Sequence, residues 1–258
     1  MSKGWRAGRG LNTNIYHIIY SPEARSLCLH FWGCNMNCRA CLCQKEIYDC
    51  HLEETRDAIY TQTDKPPEKP VRFLEFDQVL DTIKNLEISQ VIFMGMEATL
   101  DPELPRLAGV LQGEFHSYNI LLTNGLELVP LEHIDEVVLS IKAYRDDLHR
   151  DYTGVSNQEI LQNFGRIHAL GKKLQAESVL IPGYIDLPEI EHIACFIAGV
   201  DMTIPYRIDA YFPAGKNPWR RSKPEEVEAA VEIAGRHLLN ASCLRGDEEL
   251  KYEVLRIY

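Results

Sequence analysis

No apolar run in this sequence is long enough to cross a bilayer; stretches such as 193–200 are far too short. The opening Met1-Ser2-Lys3-Gly4-Trp5-Arg6 leads into no apolar run of signal-peptide length. A surplus of basic residues is also missing. Acidic side chains outnumber basic ones 38 to 27, a formal charge of -11, and such a surface repels phosphate backbones. Internal repeats and low-complexity tracts are absent. These absences point away from membrane and nucleic acid and toward a cytoplasmic protein. At 258 residues and 45% hydrophobic, the chain can bury a sizeable core and has the length of one α/β barrel. The expectation is a single domain over 1–258, with an irregular, charged insertion at about 43–70 and a C-terminal helix and tail over 223–258.

Cysteine is scarce outside one place. Of eight cysteines, Cys28, Cys34, Cys38, Cys41, Cys43 and Cys50 fall within 23 residues, while Cys195 and Cys243 stand alone downstream. A core-bearing chain does not need staples, and crowded cysteines in a cytosolic protein more often hold metal than pair as disulfides. The loop at 33–43 carries Cys34-Asn35-Met36-Asn37-Cys38-Arg39-Ala40-Cys41, three thiols within eight residues. A structural zinc site wants four ligands, and Cys43 or Cys50 can supply a fourth. A 4Fe–4S cubane held by three thiolates instead leaves one iron without a protein ligand. On the cysteines alone both remain open. Cys28, on a strand, and Cys195, on an apolar helix, are expected to be buried. Cys43 and Cys50 read as thiols without a cluster of their own.

Strand-like runs at 27–32, 90–94, 119–123, 136–141, 173–181 and 207–212 alternate with helical patterns at 76–86, 103–112, 158–170, 187–197 and 225–239. Strict alternation implies parallel strands joined by crossovers, in a partial barrel or a doubly wound sheet. Either fold places ligands beyond the carboxyl ends of the strands. Those ends carry Gly33 and the cysteine loop, Gly95-Met96-Glu97, Asn124-Gly125, Lys142, Pro182-Gly183 and Pro213-Ala214-Gly215-Lys216.

The cysteine triplet and this rim resemble the radical S-adenosylmethionine (SAM) superfamily, and within it the activating enzymes of glycyl radical enzymes. The markers run in order from about 27 to 219. They are the CxxxCxxC triplet, Gly95-Met96-Glu97-Ala98 in place of a Gly-Gly-Glu motif, Thr123-Asn124-Gly125, and Ser140-Ile141-Lys142 in place of Asp-Leu-Lys. They continue through His149, Thr153-Gly154-Val155-Ser156-Asn157, Ile181-Pro182-Gly183, Gly215-Lys216 and Trp219. The resemblance implies a radical SAM type partial (β/α)6 TIM-like barrel, with Cys34, Cys38 and Cys41 on a 4Fe–4S cluster. It implies that the open iron takes SAM, whose reductive cleavage yields a 5′-deoxyadenosyl radical for hydrogen abstraction. Gly95, Met96 and Glu97 would receive the methionine amino group and Lys142 its carboxylate, with Asn124 and Ser140 bordering the ligand. It further implies a low-potential electron donor of flavodoxin or ferredoxin type, anaerobic chemistry, and a glycyl radical enzyme as partner. Two rivals are a radical SAM enzyme for a small molecule, peptide or cofactor precursor, and a non-catalytic iron–sulfur or zinc module.

The departures from that family are specific. Met96 replaces a glycine, Ala40 an aromatic beside the third cysteine, and Ser140 and Leu122 two aspartates. Glu177 falls where an arginine stands and Phe212 where a histidine stands, both at SAM-contacting positions. Lys142 is left as the main countercharge for the SAM carboxylate, and Glu177 would oppose that anion unless a neighbour such as Arg207 compensates.

Overall fold

The computed structural model describes residues 12–44, 68–213, 217–249 and 251–258. Most of the expected insertion, with Cys50, and the pair Gly215-Lys216 lie outside them. Strands β1 (Ile15–Ser21), β2 (Ser26–Phe31), β3 (Gln90–Gly95), β4 (Tyr118–Thr123), β5 (Glu136–Ser140), β6 (Lys173–Leu180), β7 (Tyr206–Ala210), β8 (Ala241–Leu244) and β9 (Leu255–Arg256) form one open sheet. Its order is β8-β7-β6-β5-β4-β3-β2-β1-β9. From β2 to β8 every neighbouring pair is parallel, whereas β1 runs antiparallel to both β2 and β9. The six expected strands are β2 to β7. The sheet extends that set at both edges.

Helices α1 (Phe76–Ile83), α2 (Leu104–Val110), α3 (Asp146–Thr153), α4 (Gln158–Ala169), α5 (Leu187–Asp201) and α6 (Pro224–Ala234) occupy the connections. Helix α1 buries Phe76, Val79, Leu80 and Ile83, the i, i+3, i+4, i+7 stripe of a helix laid on a sheet. Helix α5 starts where the Asp186 carboxylate accepts from Leu187 N at 2.8 Å, and α6 starts on Pro224, whose missing N–H costs nothing there. Strand β6 alternates: Leu174, Ala176 and Leu180 join the main core, and Glu177 and Val179 face the cavity described below. Strand β5 is buried along its whole length, as expected for a central parallel strand. No helix among the described residues is long and apolar enough to cross a membrane.

Candidate active site

The chain leaves β2 through Gly33, at φ +102°, a left-handed conformation that favours glycine. The cysteine loop is then stitched to the end of α3. Asn37 N donates to Thr153 O at 2.9 Å and Arg39 N to Tyr152 O at 2.9 Å. Met36, 5% exposed, anchors the loop in the core. Cys34 Sγ accepts from Met36 N at 3.4 Å and from Asn124 Nδ2 at 3.6 Å. Cys34, Cys38 and Cys41 all line one cavity of about 300 Å³ at the carboxyl ends of the strands. Burial pushes the Cys34 thiol up and the Cys38 thiol up to about 12.

Gly95 and Met96 line the same cavity. Gly95 sits at φ +108°, and a Cβ there would lie 2.6 Å from Phe31 N and 2.7 Å from Phe31 O. Only glycine lets β3 close against the end of β2 at this point. Met96 N donates to Phe31 O at 2.9 Å, and its Sδ accepts from Gly33 N at 3.2 Å. The methionine side chain is thus folded onto the start of the cysteine loop.

Glu97 is 2% exposed and does not line the cavity. Its Oε1 accepts from Thr123 Oγ1 at 2.7 Å and Thr99 Oγ1 at 2.8 Å, and its Oε2 from Asn124 N at 2.8 Å. Burial pushes its carboxyl up against these hydrogen bonds. Asn124 carries the connection on to the loop, its Nδ2 donating to Asn35 Oδ1 at 2.7 Å. Glu97 therefore ties the ends of β3 and β4 together beneath the wall that Asn124 forms.

Across the cavity stand Ser140, Lys142 and Glu177. Burial by itself would pull Lys142 down, but Cys38, Glu177, Cys41 and Cys34 together hold it above its usual value. Glu177 is compensated as the sequence requires. Its Oε2 lies 2.7 Å from Arg207 Nη2, and Ser140 Oγ donates to its other oxygen. Arg207 also donates to Asp209, Nε to Oδ1 at 2.8 Å and Nη2 to Oδ2 at 3.1 Å. Burial pushes the Asp209 carboxyl up.

A family model described as the radical SAM superfamily matches residues 29–196. The chain belongs to the radical SAM superfamily. Within it, the chain is 30% identical over 246 residues to a Methanocaldococcus jannaschii protein named "Putative glycyl-radical enzyme activating enzyme MJ1632". The match covers 89% of this chain and 83% of that one. Two solved structures share the fold. One is a domain of pyruvate-formate lyase-activating enzyme from Bacteroides vulgatus, with TM-score 0.51, 18% identity, and coverage of 60% of this chain and 99% of that one. The other is QueE from Escherichia coli, with TM-score 0.51, 15% identity, and coverage of 85% of each. Family and relative together make this protein an enzyme, and the nine-stranded open sheet is the partial TIM barrel of its neighbours.

Radical SAM membership implies a 4Fe–4S cluster and SAM, and the residues present fit both. Three thiols from one loop face one cavity. Lys142 adds a cationic side chain to the same lining, as a ligand with a carboxylate requires. Among the described residues no three His, Cys, Asp or Glu side chains stand as a group that could hold a metal ion. A cubane places each thiolate on a different iron, so its ligands need not converge as those of one zinc ion must.

The remaining residues of this radical SAM chain divide cleanly. Phe212 and Cys43 line the cavity, Cys43 Sγ donating to Gly95 O at 3.4 Å. His149 is fully buried outside it, with Nδ1 2.8 Å from Val155 O, and so braces the turn after α3. Cys28 is buried on β2 as expected. Cys195 is not: it is exposed, 3.6 Å from both ring nitrogens of His237. Helix α5 is so rich in apolar residues that their spacing does not reveal which positions face solvent. Sequence reasoning missed Tyr152 and Tyr211, both buried and both lining the cavity.

Proposed function

We propose that this radical SAM enzyme is an activating enzyme that removes a hydrogen atom from a glycine of a partner glycyl radical enzyme. The observation that carries the SAM-dependent part of the reading is the meeting of three thiols of one loop, Gly95, Met96 and Lys142 on a single cavity, and the glycine substrate is supported by the likeness to the Methanocaldococcus jannaschii relative. Cys34, Cys38 and Cys41 would hold the 4Fe–4S cluster and leave one iron open for the amino and carboxylate groups of SAM. Held there and reduced by a flavodoxin- or ferredoxin-type donor, the cluster would supply the electron for reductive cleavage of SAM to a 5′-deoxyadenosyl radical. The chain's own part is positioning. The backbone at Gly95 and Met96 receives the methionine amino group, and the bond network of Glu97 keeps that backbone in register with Asn124. Lys142 faces the carboxylate, while Arg207 holds Glu177 so that it does not repel the same anion.

Anaerobic reconstitution with iron and sulfide is expected to give about four irons per chain. Dithionite and SAM should then yield 5′-deoxyadenosine and methionine, and a partner glycyl radical enzyme added to the reaction should acquire a glycyl radical EPR signal. Stoichiometric zinc without iron would overturn the cluster. 5′-Deoxyadenosine without the glycyl radical would move the substrate to a small molecule or peptide. Lys142→Ala should remove a charge-assisted contact worth roughly 1.5–3 kcal/mol, a ten- to hundredfold loss of SAM affinity with iron content intact. Titrating SAM against the cluster's EPR signal measures it, and unchanged affinity would reassign the carboxylate's partner.

A further inference from the structure

We infer that Tyr152 is the aromatic wall of the adenine site in this chain, in place of the aromatic that the family's cysteine loop carries where Ala40 stands. The inference rests on the SAM-binding reading above. A purine is flat and apolar on both faces, and aromatic side chains hold such rings by stacking. The cysteine loop here has only a methyl group to offer next to Cys41.

The structure fills that space from another element. Ala40, 8% exposed, and Tyr152, 5% exposed, belong to one small apolar cluster, separate from the main core, with Ile181, Ile185 and Tyr211. Ala40 and Tyr152 line the cavity together with Cys38 and Cys41. Tyr152 is fixed to the loop, because its carbonyl accepts from Arg39 N at 2.9 Å, one residue before Ala40. Its ring is braced by Tyr184, centroid 6.0 Å away, and Trp219, 6.2 Å away, neither of which lines the cavity. A small residue at 40 and a large aromatic at 152 are thus complementary: an aromatic in the loop would compete for the volume that Tyr152 fills. Ala40 reads as the partner of Tyr152, rather than as the loss of a binding residue.

The test is calorimetric titration of SAM and of free methionine into anaerobic, cluster-loaded protein. Methionine has the iron-chelating end of SAM and no adenine. Tyr152→Ala should lower SAM affinity roughly tenfold to a hundredfold while methionine affinity and iron content stay as in wild type. Tyr152→Phe should bind SAM like wild type, and Ala40→Phe added to Tyr152→Ala should recover affinity. Tyr152→Leu keeps apolar volume without an aromatic face; should the alanine variant not fold, the leucine variant is expected to show the same selective loss. A parallel fall in SAM and methionine affinity would mean a structural role and overturn the inference. So would unaltered SAM affinity, or a selective loss in Tyr211→Ala rather than at Tyr152. Wild-type protein that loads the cluster but binds no SAM would overturn the proposed function, and this inference with it.

Discussion

Alanine at Cys34, Cys38 or Cys41 should each reduce bound iron from about four per chain to near zero and SAM cleavage to background. The three thiols are contributed by one loop that is held at both ends, by Gly33 N on Met96 Sδ and by Arg39 N on Tyr152 O. Cys43 lines the same cavity and is the side chain to control for. Cys43 is the nearest in sequence, and its thiol is already engaged with Gly95 O at 3.4 Å. Iron is bound by thiolates, so cluster assembly must displace the thiol protons. The matched controls are Cys195→Ala, on the exposed face of α5, and the Cys43→Ser, Cys50→Ser double variant. Both should keep wild-type iron content and still produce 5′-deoxyadenosine. Iron analysis and product chromatography read both quantities. Retention of iron in any of the three single alanine variants would remove that cysteine from the ligand set, and loss of half the iron in the double serine variant would reveal a second cluster.

The parallel body of the fold was legible because β2 to β7 carry the apolar runs and turn residues that parallel strands need. The outer strands were not. All seven residues of β1 are buried, so it has no alternation to read, and β9 has only two residues, paired with Ile19 and Tyr20. Helix α3 was hidden for a different reason. Asp146, Asp147, Arg150 and Asp151 make its eight residues so polar that the buried His149, Tyr152 and Thr153 do not stand out as a stripe. That omission concealed Tyr152. Cys34, Cys38, Cys41, Gly95, Asn124 and Lys142 were visible at the ends of the strand-like runs, Ser140 only through the family resemblance, and the structure brings all seven to one cavity. Glu97 was visible as a motif residue, but its burial beneath that wall depends on Thr99 and Thr123, whose hydroxyls have no signature in sequence.

The Arg207 cluster shows how a departure from the family pattern can be absorbed by a neighbouring strand. Glu177 on β6 stands directly opposite Arg207 on β7, and Asp209, two residues along, falls on the same face as Arg207. Their side chains are 17%, 29% and 23% exposed. At such burial a carboxylate without a countercharge is costly, and one guanidinium serves two of them through a forked geometry that lysine cannot reproduce. Arg207→Ala should therefore destabilise the protein by about 3–5 kcal/mol, lowering Tm by roughly ten degrees, and weaken SAM binding by exposing the incoming carboxylate to Glu177. The deficit should depend on pH with a definite sign. Asp209, already raised by burial, loses the guanidinium that lowers it, so the folded state binds more protons than the unfolded one, and stability falls as pH rises through the carboxyl's folded value. Burial already raises Asp209 in the wild type, so the same sign is present there in weaker form. The gap between variant and wild type should be widest at neutral pH and narrow as pH falls into the ordinary carboxylate range. Asp209→Asn added to Arg207→Ala should recover part of the loss at neutral pH, because it removes one of the two orphaned charges. Thermal unfolding across that pH range measures all three effects. A deficit that widens on acidification, or one below about 1 kcal/mol, the level of an exposed ion pair, would show that Arg207 is not what neutralises Glu177.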